Sequence, residues 1–367
     1  MKLSGKAFYR APAEPCLARV ESLKDLSGHL RIIGSDDRKS LRVALPGNEP
    51  PDADVVLHSD QAYVEPGDIL RLDGRNSEVR VLYRRRSSHN FLFFTERCNS
   101  RCLMCSQPPR EIDDAYLVDD ILKMIPWMAA DTPELGITGG EPTLLGERML
   151  QVIASVRDHL PQTALHMLSN GRLFFRPEFA RAVGSIGHPD FMVGIPLYAD
   201  TAAPHDFVVQ AEGAFRETIL GLVNLGSEGV RIELRLVLHS FTVKRLPQFA
   251  RYVVRNLPFV DQIAFMGLEL MGFAKSNLNA LWIEPADYME PLAEALEILD
   301  QANLTALVYN LPLCLLPESV RPFARKSISD WKNIYLPECD RCSLRSSCAG
   351  FFASTPLRVA KGIRAFP

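Results

Sequence analysis

The chain has 367 residues, of which 47% are hydrophobic and 23% are charged, as in an ordinary folded protein with room for two or three domains. Its formal net charge of -3 gives no general attraction to nucleic acid, so we expect no nucleic-acid partner. No apolar run is long enough to span a membrane, and no signal sequence opens the chain. We therefore expect a cytoplasmic protein.

Residues 1–88 contain short β-type runs separated by turn signals, such as Pro46-Gly47-Asn48 and Pro66-Gly67-Asp68. This spacing predicts a small β-rich N-terminal domain. The basic run Arg84–Arg86 marks its end, and such a run usually lies in solvent. We expect the domain to contact a partner or a peptide; the alternative is that it only covers the open side of the next domain.

Residues 89–275 alternate between apolar strand patterns and helical patterns. The predicted strands are Phe91–Thr95, Leu135–Thr138, Ala164–Leu168, Phe191–Leu197, Ile232–Leu238 and Gln262–Gly267. Six such units predict an α/β fold with a parallel sheet, and six are too few for a closed eight-stranded barrel. We therefore predict an open (βα)6 partial TIM barrel, with ligands beyond the carboxyl ends of its strands.

Three cysteines follow the first predicted strand in a C-x3-C-x2-C pattern: Cys98, Cys102 and Cys105. Three thiolates on one loop can each bind one iron of a [4Fe–4S] cubane. The loop offers no fourth cysteine, so one iron would stay open for an exogenous ligand, whereas a structural zinc site needs four ligands. A zinc knuckle or buried free thiols are the alternatives.

Residues 276–367 form a predicted cysteine-rich C-terminal region with one helix, Pro285–Gln301. Its cysteines are Cys314, Cys339, Cys342 and Cys348, the last three in a C-x2-C-x5-C pattern. Four thiolates suffice for a second [4Fe–4S] cluster, which we favour. A four-thiolate zinc site uses the same residues and remains the alternative.

The first cysteine triplet and the turn Gly139-Gly140-Glu141-Pro142, which follows the second predicted strand, together resemble the radical S-adenosylmethionine (SAM) superfamily. In that family the open iron chelates the amino and carboxylate groups of SAM. The resemblance therefore implies a [4Fe–4S] cluster with an open iron site, SAM and an external electron donor. It also implies that Gly139 and Gly140 let the backbone approach the cofactor and that Glu141 accepts a bond from the methionyl ammonium.

Three further residues are predicted SAM contacts. Met104 stands where the family often has an aromatic residue against adenine, and its sulfur can pack on a ring. Asn170 is a candidate for the ribose or the carboxylate, with a plain Asn-Gly turn as the alternative. Arg235 is a candidate to pair the carboxylate, with a surface arginine as the alternative. The pair His205-Asp206 either positions substrate or caps its loop.

A closer resemblance, carried by Phe94–Asn99, Leu103–Pro109 and Cys348–Phe352, is to the C-type maturase of His-Xaa-Ser peptide systems, HxsC. The second cysteine group resembles a reduced SPASM or twitch extension. The resemblance implies a peptide maturase that takes a hydrogen atom from a ribosomal precursor peptide. It also implies two partners, a second radical SAM maturase, HxsB, and a small protein, HxsD.

Two other functions stay open from the residues alone. The same radical chemistry can act on another protein side chain or on a small molecule. Alternatively, the chain is a non-catalytic iron–sulfur partner of a maturation complex, although an electron relay has no need of a SAM pocket.

Overall fold

The protein was analysed as a computed structural model, which describes residues 3–9, 14–21, 30–34, 40–44, 53–326 and 334–367. The predicted turn Pro46-Gly47-Asn48 lies outside these residues. Two β-sheets organise the described part of the chain, one closed and antiparallel in most of its pairs, the other open and parallel.

The N-terminal sheet is a closed barrel of seven strands. The strands are β1 (Ser4–Tyr9), β2 (Cys16–Glu21), β3 (Leu30–Gly34), β4 (Ser40–Ala44), β5 (Val55–Leu57), β6 (Ile69–Asp73) and β7 (Glu78–Tyr83). Their order is β1-β5-β4-β3-β2-β6-β7, and β1 closes the ring by pairing with both β5 and β7. In β7, Val79 and Val81 are buried while Arg80 between them is exposed, the two-residue period of a strand with one face inside.

The second sheet has seven parallel strands in sequential order. They are β8 (Asn90–Phe93), β9 (Glu134–Thr138), β10 (Ala164–Leu168), β11 (Phe191–Pro196), β12 (Arg231–Leu238), β13 (Gln262–Gly267) and β14 (Thr305–Tyr309). The central strands are buried on both faces, as expected for a parallel sheet covered by helices. Their carboxyl ends therefore meet at one edge of the sheet, which is where the first cysteine group follows β8.

Helices connect the parallel strands. They are α1 (Tyr116–Met124), α2 (Glu147–His159), α3 (Pro177–Ser185), α4 (Ala202–Val209), α5 (Ala214–Ser227), α6 (Leu246–Asn256), α7 (Gly272–Ser276), α8 (Leu278–Leu281) and α9 (Met289–Gln301). In α6 the buried residues Leu246, Phe249, Ala250 and Val253 recur at the helical spacing that places one apolar stripe on the sheet. Among the described residues, no helix combines the length and apolar character that crossing a bilayer requires.

The predicted count of six βα units is wrong by one strand. Strand β14 pairs in parallel with β13 along its whole length. It was missed because it is only five residues long and stands before the irregular, cysteine-bearing sequence. Since α9 and β14 complete the sheet, the irregular part of the predicted region 276–367 begins only after Tyr309.

The barrel and the parallel sheet share a hydrophobic core. Leu17, Ile69 and Tyr83 of the barrel are buried in the same cluster as the sheet and its helices. The Tyr83 hydroxyl lies 2.8 Å from Thr132 Oγ1, and Arg71 forms a largely buried ion pair with Asp120 of α1. The barrel is therefore packed onto the outer surface of the second domain.

Candidate functional site

The first cysteine loop leaves the carboxyl end of β8 and is anchored at its start by a buried carboxylate. Asp114 Oδ2 accepts hydrogen bonds from Thr95 Oγ1 at 2.8 Å and from the Glu96 backbone N–H at 2.6 Å. Both Asp114 and Thr95 are almost completely buried. The beginning of the loop is therefore fixed before the first cysteine, Cys98, is reached.

The three thiols of this loop lie close enough to influence one another electrostatically. Burial raises the pKa of Cys98 to about 11, and the charge of Glu141 adds to the effect. Burial also raises the pKa of Cys102 to about 12, with the neighbouring Cys105 and Cys98 as further causes. Thiols held in this way stay protonated at neutral pH unless a positive centre binds and deprotonates them.

The Gly-Gly-Glu turn after β9 packs directly on the cysteine loop. The Gly140 N–H donates to Thr95 O at 2.6 Å, and the Glu141 N–H donates to Arg97 O at 2.8 Å. A Cβ atom on Gly140 would lie 2.1 Å from Arg97 O, so no larger residue fits without moving the loop. The glycines thus allow the second loop to pack closely against the first. The sequence analysis expected them to allow a close approach of the backbone to the cofactor.

Glu141 is completely buried and joins three segments. Its Oε1 accepts from Thr143 N at 3.0 Å, from Thr143 Oγ1 at 2.6 Å and from Ser169 Oγ at 2.7 Å, and its Oε2 accepts from Asn170 N at 2.6 Å. Burial raises the pKa of this carboxyl, and these four donors oppose the shift. A carboxylate has about four acceptor positions, two on each oxygen, so Oε2 keeps one position beyond these bonds.

Asn170 lies beside the first cysteine. Its Nδ2 donates to Asn99 Oδ1 at 2.6 Å and lies 4.0 Å from Cys98 Sγ. Its Oδ1 accepts from the Arg172 N–H at 3.0 Å. The structure thus brings Asn170 to the cysteine loop, as its place after the third strand of the parallel sheet predicts.

Met104 is buried in a small apolar cluster with Tyr198, Val208, Val209, Ala214, Ala274 and Leu281. The cluster covers the inner side of the cysteine loop. Burial raises the pKa of Tyr198 far above its usual range, with Cys102 the next cause. Met104 therefore faces protein rather than solvent at this position.

Arg235 points from β12 toward an acidic partner inside the sheet. Its Nη1 donates to Glu233 Oε1 at 2.7 Å, and its Nη2 lies 3.1 Å from Met266 Sδ. Glu233 is buried and also accepts from Gln262. The structure therefore pairs Arg235, whose side chain is 23% exposed, with a carboxylate of the protein.

His205 and Asp206 hold their own loop. The buried His205 Nδ1 accepts from the Tyr198 N–H at 3.2 Å, and the Asp206 carboxylate accepts from Gly213 N at 2.8 Å and Phe215 N at 2.7 Å. These bonds fix the entry to α5, so the geometry favours loop capping over a substrate role.

The four C-terminal cysteines line one small cavity. Cys314, Cys339, Cys342 and Cys348 all contribute to its wall. Backbone N–H groups face the sulfurs: Leu313 N lies 3.3 Å and Gly350 N 3.4 Å from Cys348 Sγ, and Phe366 N lies 3.4 Å from Cys342 Sγ. The upstream Cys314 thus joins the C-x2-C-x5-C group in space.

A larger cavity of about 70 Å³ lies between the carboxyl edge of the sheet and the C-terminal segment. Most of its wall is apolar or aromatic, and includes Leu238, Leu268, Trp282, Tyr288, Pro312 and Phe351. Pro312 and Phe351 also line the four-cysteine cavity, whereas Leu268 packs against the cluster that contains Met104. The larger cavity therefore lies between the two cysteine groups.

One contact escaped the sequence analysis altogether. Arg172 reaches the cysteine loop, where its guanidinium donates to Asn99 O and to Ser100 Oγ, the latter at 3.2 Å. An arginine two residues after Asn170 carries no sequence signal of its own, because its acceptors are more than 70 positions away along the chain.

Comparison with known proteins identifies the domain that carries this site. The model of the Radical SAM superfamily matches residues 92–253, so this part of the chain is a radical SAM domain. No curated protein matches the chain. The matched segment holds the cysteine triplet, the Gly-Gly-Glu turn, Asn170, Arg172 and Arg235.

Three solved structures are similar to part of this chain. SuiB of Streptococcus suis bound to S-adenosylmethionine is 14% identical, with a TM-score of 0.50 over 62% of this chain and 51% of SuiB. SuiB bound to the precursor peptide SuiA is 12% identical, with a TM-score of 0.48 over 60% of this chain and 48% of that chain. The protein anSMEcpe with bound AdoMet is 17% identical, with a TM-score of 0.45 over 57% and 59% of the two chains. The chain thus spans about half the length of SuiB.

Proposed function

We propose that the protein is a radical SAM enzyme that modifies a ribosomally made peptide of the His-Xaa-Ser type. The observation that carries the first half of this proposal is the packing of the cysteine loop on the Gly-Gly-Glu turn. Cys98, Cys102 and Cys105 would hold a [4Fe–4S] cluster with one open iron. When bound there, the cluster and SAM would together supply a 5′-deoxyadenosyl radical that takes a hydrogen atom from the substrate.

The donor set fits such a cluster. The three thiols have raised pKa values through burial, and a positive iron–sulfur centre would offset the cost of deprotonating them. The remaining acceptor position on Glu141 Oε2 suits an ammonium donor such as that of SAM. Gly139, Asn170 and Arg235 complete the proposed SAM-binding residues, with Met104 against the adenine.

Four thiols that line one cavity are enough for a second cluster. The cavity is lined by Cys314, Cys339, Cys342 and Cys348, and each thiolate of a cubane binds a different iron. We therefore propose a second [4Fe–4S] cluster held by Cys314 and the three cysteines that follow it.

The cavity between the two cysteine groups supports a substrate side chain at that place. Its largely apolar wall would exclude water from a reactive carbon. The assignment to His-Xaa-Ser peptides, with HxsB and HxsD as partners, rests on the HxsC-like stretches around Cys98 and Cys348.

Two experiments test the proposal. Anaerobic reconstitution with iron, sulfide, SAM and a reductant should yield 5′-deoxyadenosine, and no yield above a Cys98→Ala control would end the enzymatic half. Mass spectrometry of a co-expressed His-Xaa-Ser precursor, with wild type and with Cys98→Ala, tests the peptide half. A precursor of unchanged mass in the presence of 5′-deoxyadenosine production would redirect the chemistry to another substrate.

A further inference from the structure

The turn after β10 reaches across to the cysteine loop at two adjacent points. Asn170 Nδ2 binds the side chain of Asn99, and Arg172 Nη1 donates to the main-chain oxygen of Asn99 and to Ser100 Oγ. Asn99 and Ser100 stand between Cys98 and Cys102. A cation is therefore held against the middle of the segment that presents two of the three proposed cluster ligands.

The fold leaves the Arg172 side chain little freedom. It is 13% exposed, and its Nε donates to Glu217 Oε2 of α5 at 2.7 Å. The preceding Gly171 has φ +77, and a Cβ there would lie 2.8 Å from Ile195 Cγ2. Helix α5 closes on the same turn at Gly221, where a Cβ would lie 2.2 Å from Gly171 O. The guanidinium is thus fixed between the cysteine loop on one side and Glu217 on the other.

Charge and hydrogen bonding near a cluster set its reduction potential. A cation favours the more negative, reduced state, and an anion disfavours it. Arg172 brings its positive charge to the loop, whereas Glu217, 35% exposed, partly neutralises it.

We propose that Arg172 is a positioning residue for the first cysteine loop and that its charge, moderated by Glu217, raises the reduction potential of the cluster bound there. This inference rests on the proposed function, because it requires a cluster at Cys98, Cys102 and Cys105. Arg172 and Glu217 should therefore shift the reduction potential in opposite directions, which a purely structural role would not predict.

The test uses the full chain in a Cys339→Ser/Cys342→Ser background, so that only the first group keeps all its thiols. Midpoint potentials of the reconstituted cluster are measured by spectroscopic redox titration for Arg172→Gln, Arg172→Lys and Glu217→Gln. Arg176→Gln is the matched control, since Arg176 lies on the same connection, is exposed and rests on the Phe175 ring. Release of iron to a chelator is followed in parallel.

We expect Arg172→Gln to shift the midpoint potential to more negative values and Glu217→Gln to shift it to less negative values. Arg172→Lys should retain most of the wild-type potential, because the charge remains. Loss of the charged hydrogen bonds should speed iron release from Arg172→Gln by about tenfold. Arg176→Gln should match the background protein in both measurements.

Shifts of the two variants in the same direction, or no shift in either, would overturn the inference. If Arg172→Gln does not fold, as judged by circular dichroism, the other two variants decide the question. Glu217→Gln keeps the Arg172 guanidinium, so the predicted shift of its potential to less negative values can still be measured. Arg172→Lys keeps the positive charge, so its expected wild-type potential can be measured as well. A background protein that takes up no iron would instead refute the proposed function, so the two failures are distinguishable.

Discussion

The buried carboxylate of Glu141 offers the sharpest test of how the site is assembled. Every hydrogen-bonding group that faces it is a donor: Thr143 N, Thr143 Oγ1, Ser169 Oγ and Asn170 N. In Glu141→Gln an amide NH₂ replaces one oxygen without a change of shape. In its less costly orientation the new NH₂ replaces Oε2 and faces the Asn170 N–H. The Asn170 N–H then loses its acceptor and the new NH₂ finds none, so that two buried donors are left without an acceptor.

The size of the effect follows from those two donors. A buried donor left without an acceptor costs about 1 to 3 kcal/mol, so we expect the two donors in Glu141→Gln to lower the free energy of unfolding by about 2 to 6 kcal/mol. Chemical denaturation of the metal-free protein at pH 8, followed by circular dichroism, measures this directly. Glu147→Gln is the control, because Glu147 is exposed in the first turn of α2 and its charge there is worth at most about 1 kcal/mol.

Equal stabilities of Glu141→Gln and Glu147→Gln would refute this account. Such a result would mean that the carboxylate does not join the Gly-Gly-Glu turn to the turn after β10 in solution. The distances on which its proposed contact with SAM depends would then have no support.

Three further outcomes follow from the described geometry. Cys342→Ser should reduce the iron content after reconstitution from about eight to about four per chain, and an unchanged content would exclude a cluster at the second group. Arg71→Ala leaves Asp120 buried and unpaired and should lower the free energy of unfolding by about 3 to 5 kcal/mol. Arg75→Ala is the control, because its ion pair is exposed, and it should change the free energy of unfolding by no more than about 0.5 kcal/mol. Burial lowers the pKa of His239 from 6.5 to about 4, so the stability present above pH 6.5 should decline as the pH falls toward 4. His239→Asn should make this decline less steep when melting temperatures are measured across the same pH range. An unchanged slope would contradict the prediction.

The alternation of strands and helices could be predicted because the hydrophobic residues of each strand and helix follow a local period. Predicted and observed bounds agree at both ends for Ala164–Leu168 and Gln262–Gly267. They agree at one end for the observed strands Glu134–Thr138, Phe191–Pro196 and Arg231–Leu238. The cysteine triplet was equally readable, since ligand spacing on one loop is a local property. The placement of the first cysteine group beyond the first parallel strand is confirmed.

What the sequence could not supply were contacts between distant segments. Strands β1, β2 and β3 are defined by their partners in a closed barrel, which lie far away along the chain. The approach of Cys314 to Cys348 depends on how the segment between them folds back. The contact from Arg172 to Asn99 depends on two loops that only the sheet brings together.

The link between β7 and β8 attaches the N-terminal barrel firmly to the second domain. Two reciprocal hydrogen bonds fix this link, from the Arg84 N–H to Asn90 Oδ1 at 2.8 Å and from Asn90 Nδ2 to Arg84 O at 3.0 Å. Together with the core that both sheets share, this makes the barrel a poor candidate for a detachable module. A protein trimmed to start at Asn90 would expose to water the apolar surface that Leu17, Ile69 and Tyr83 now cover, and grafting the barrel onto another enzyme would require transplanting that surface with it.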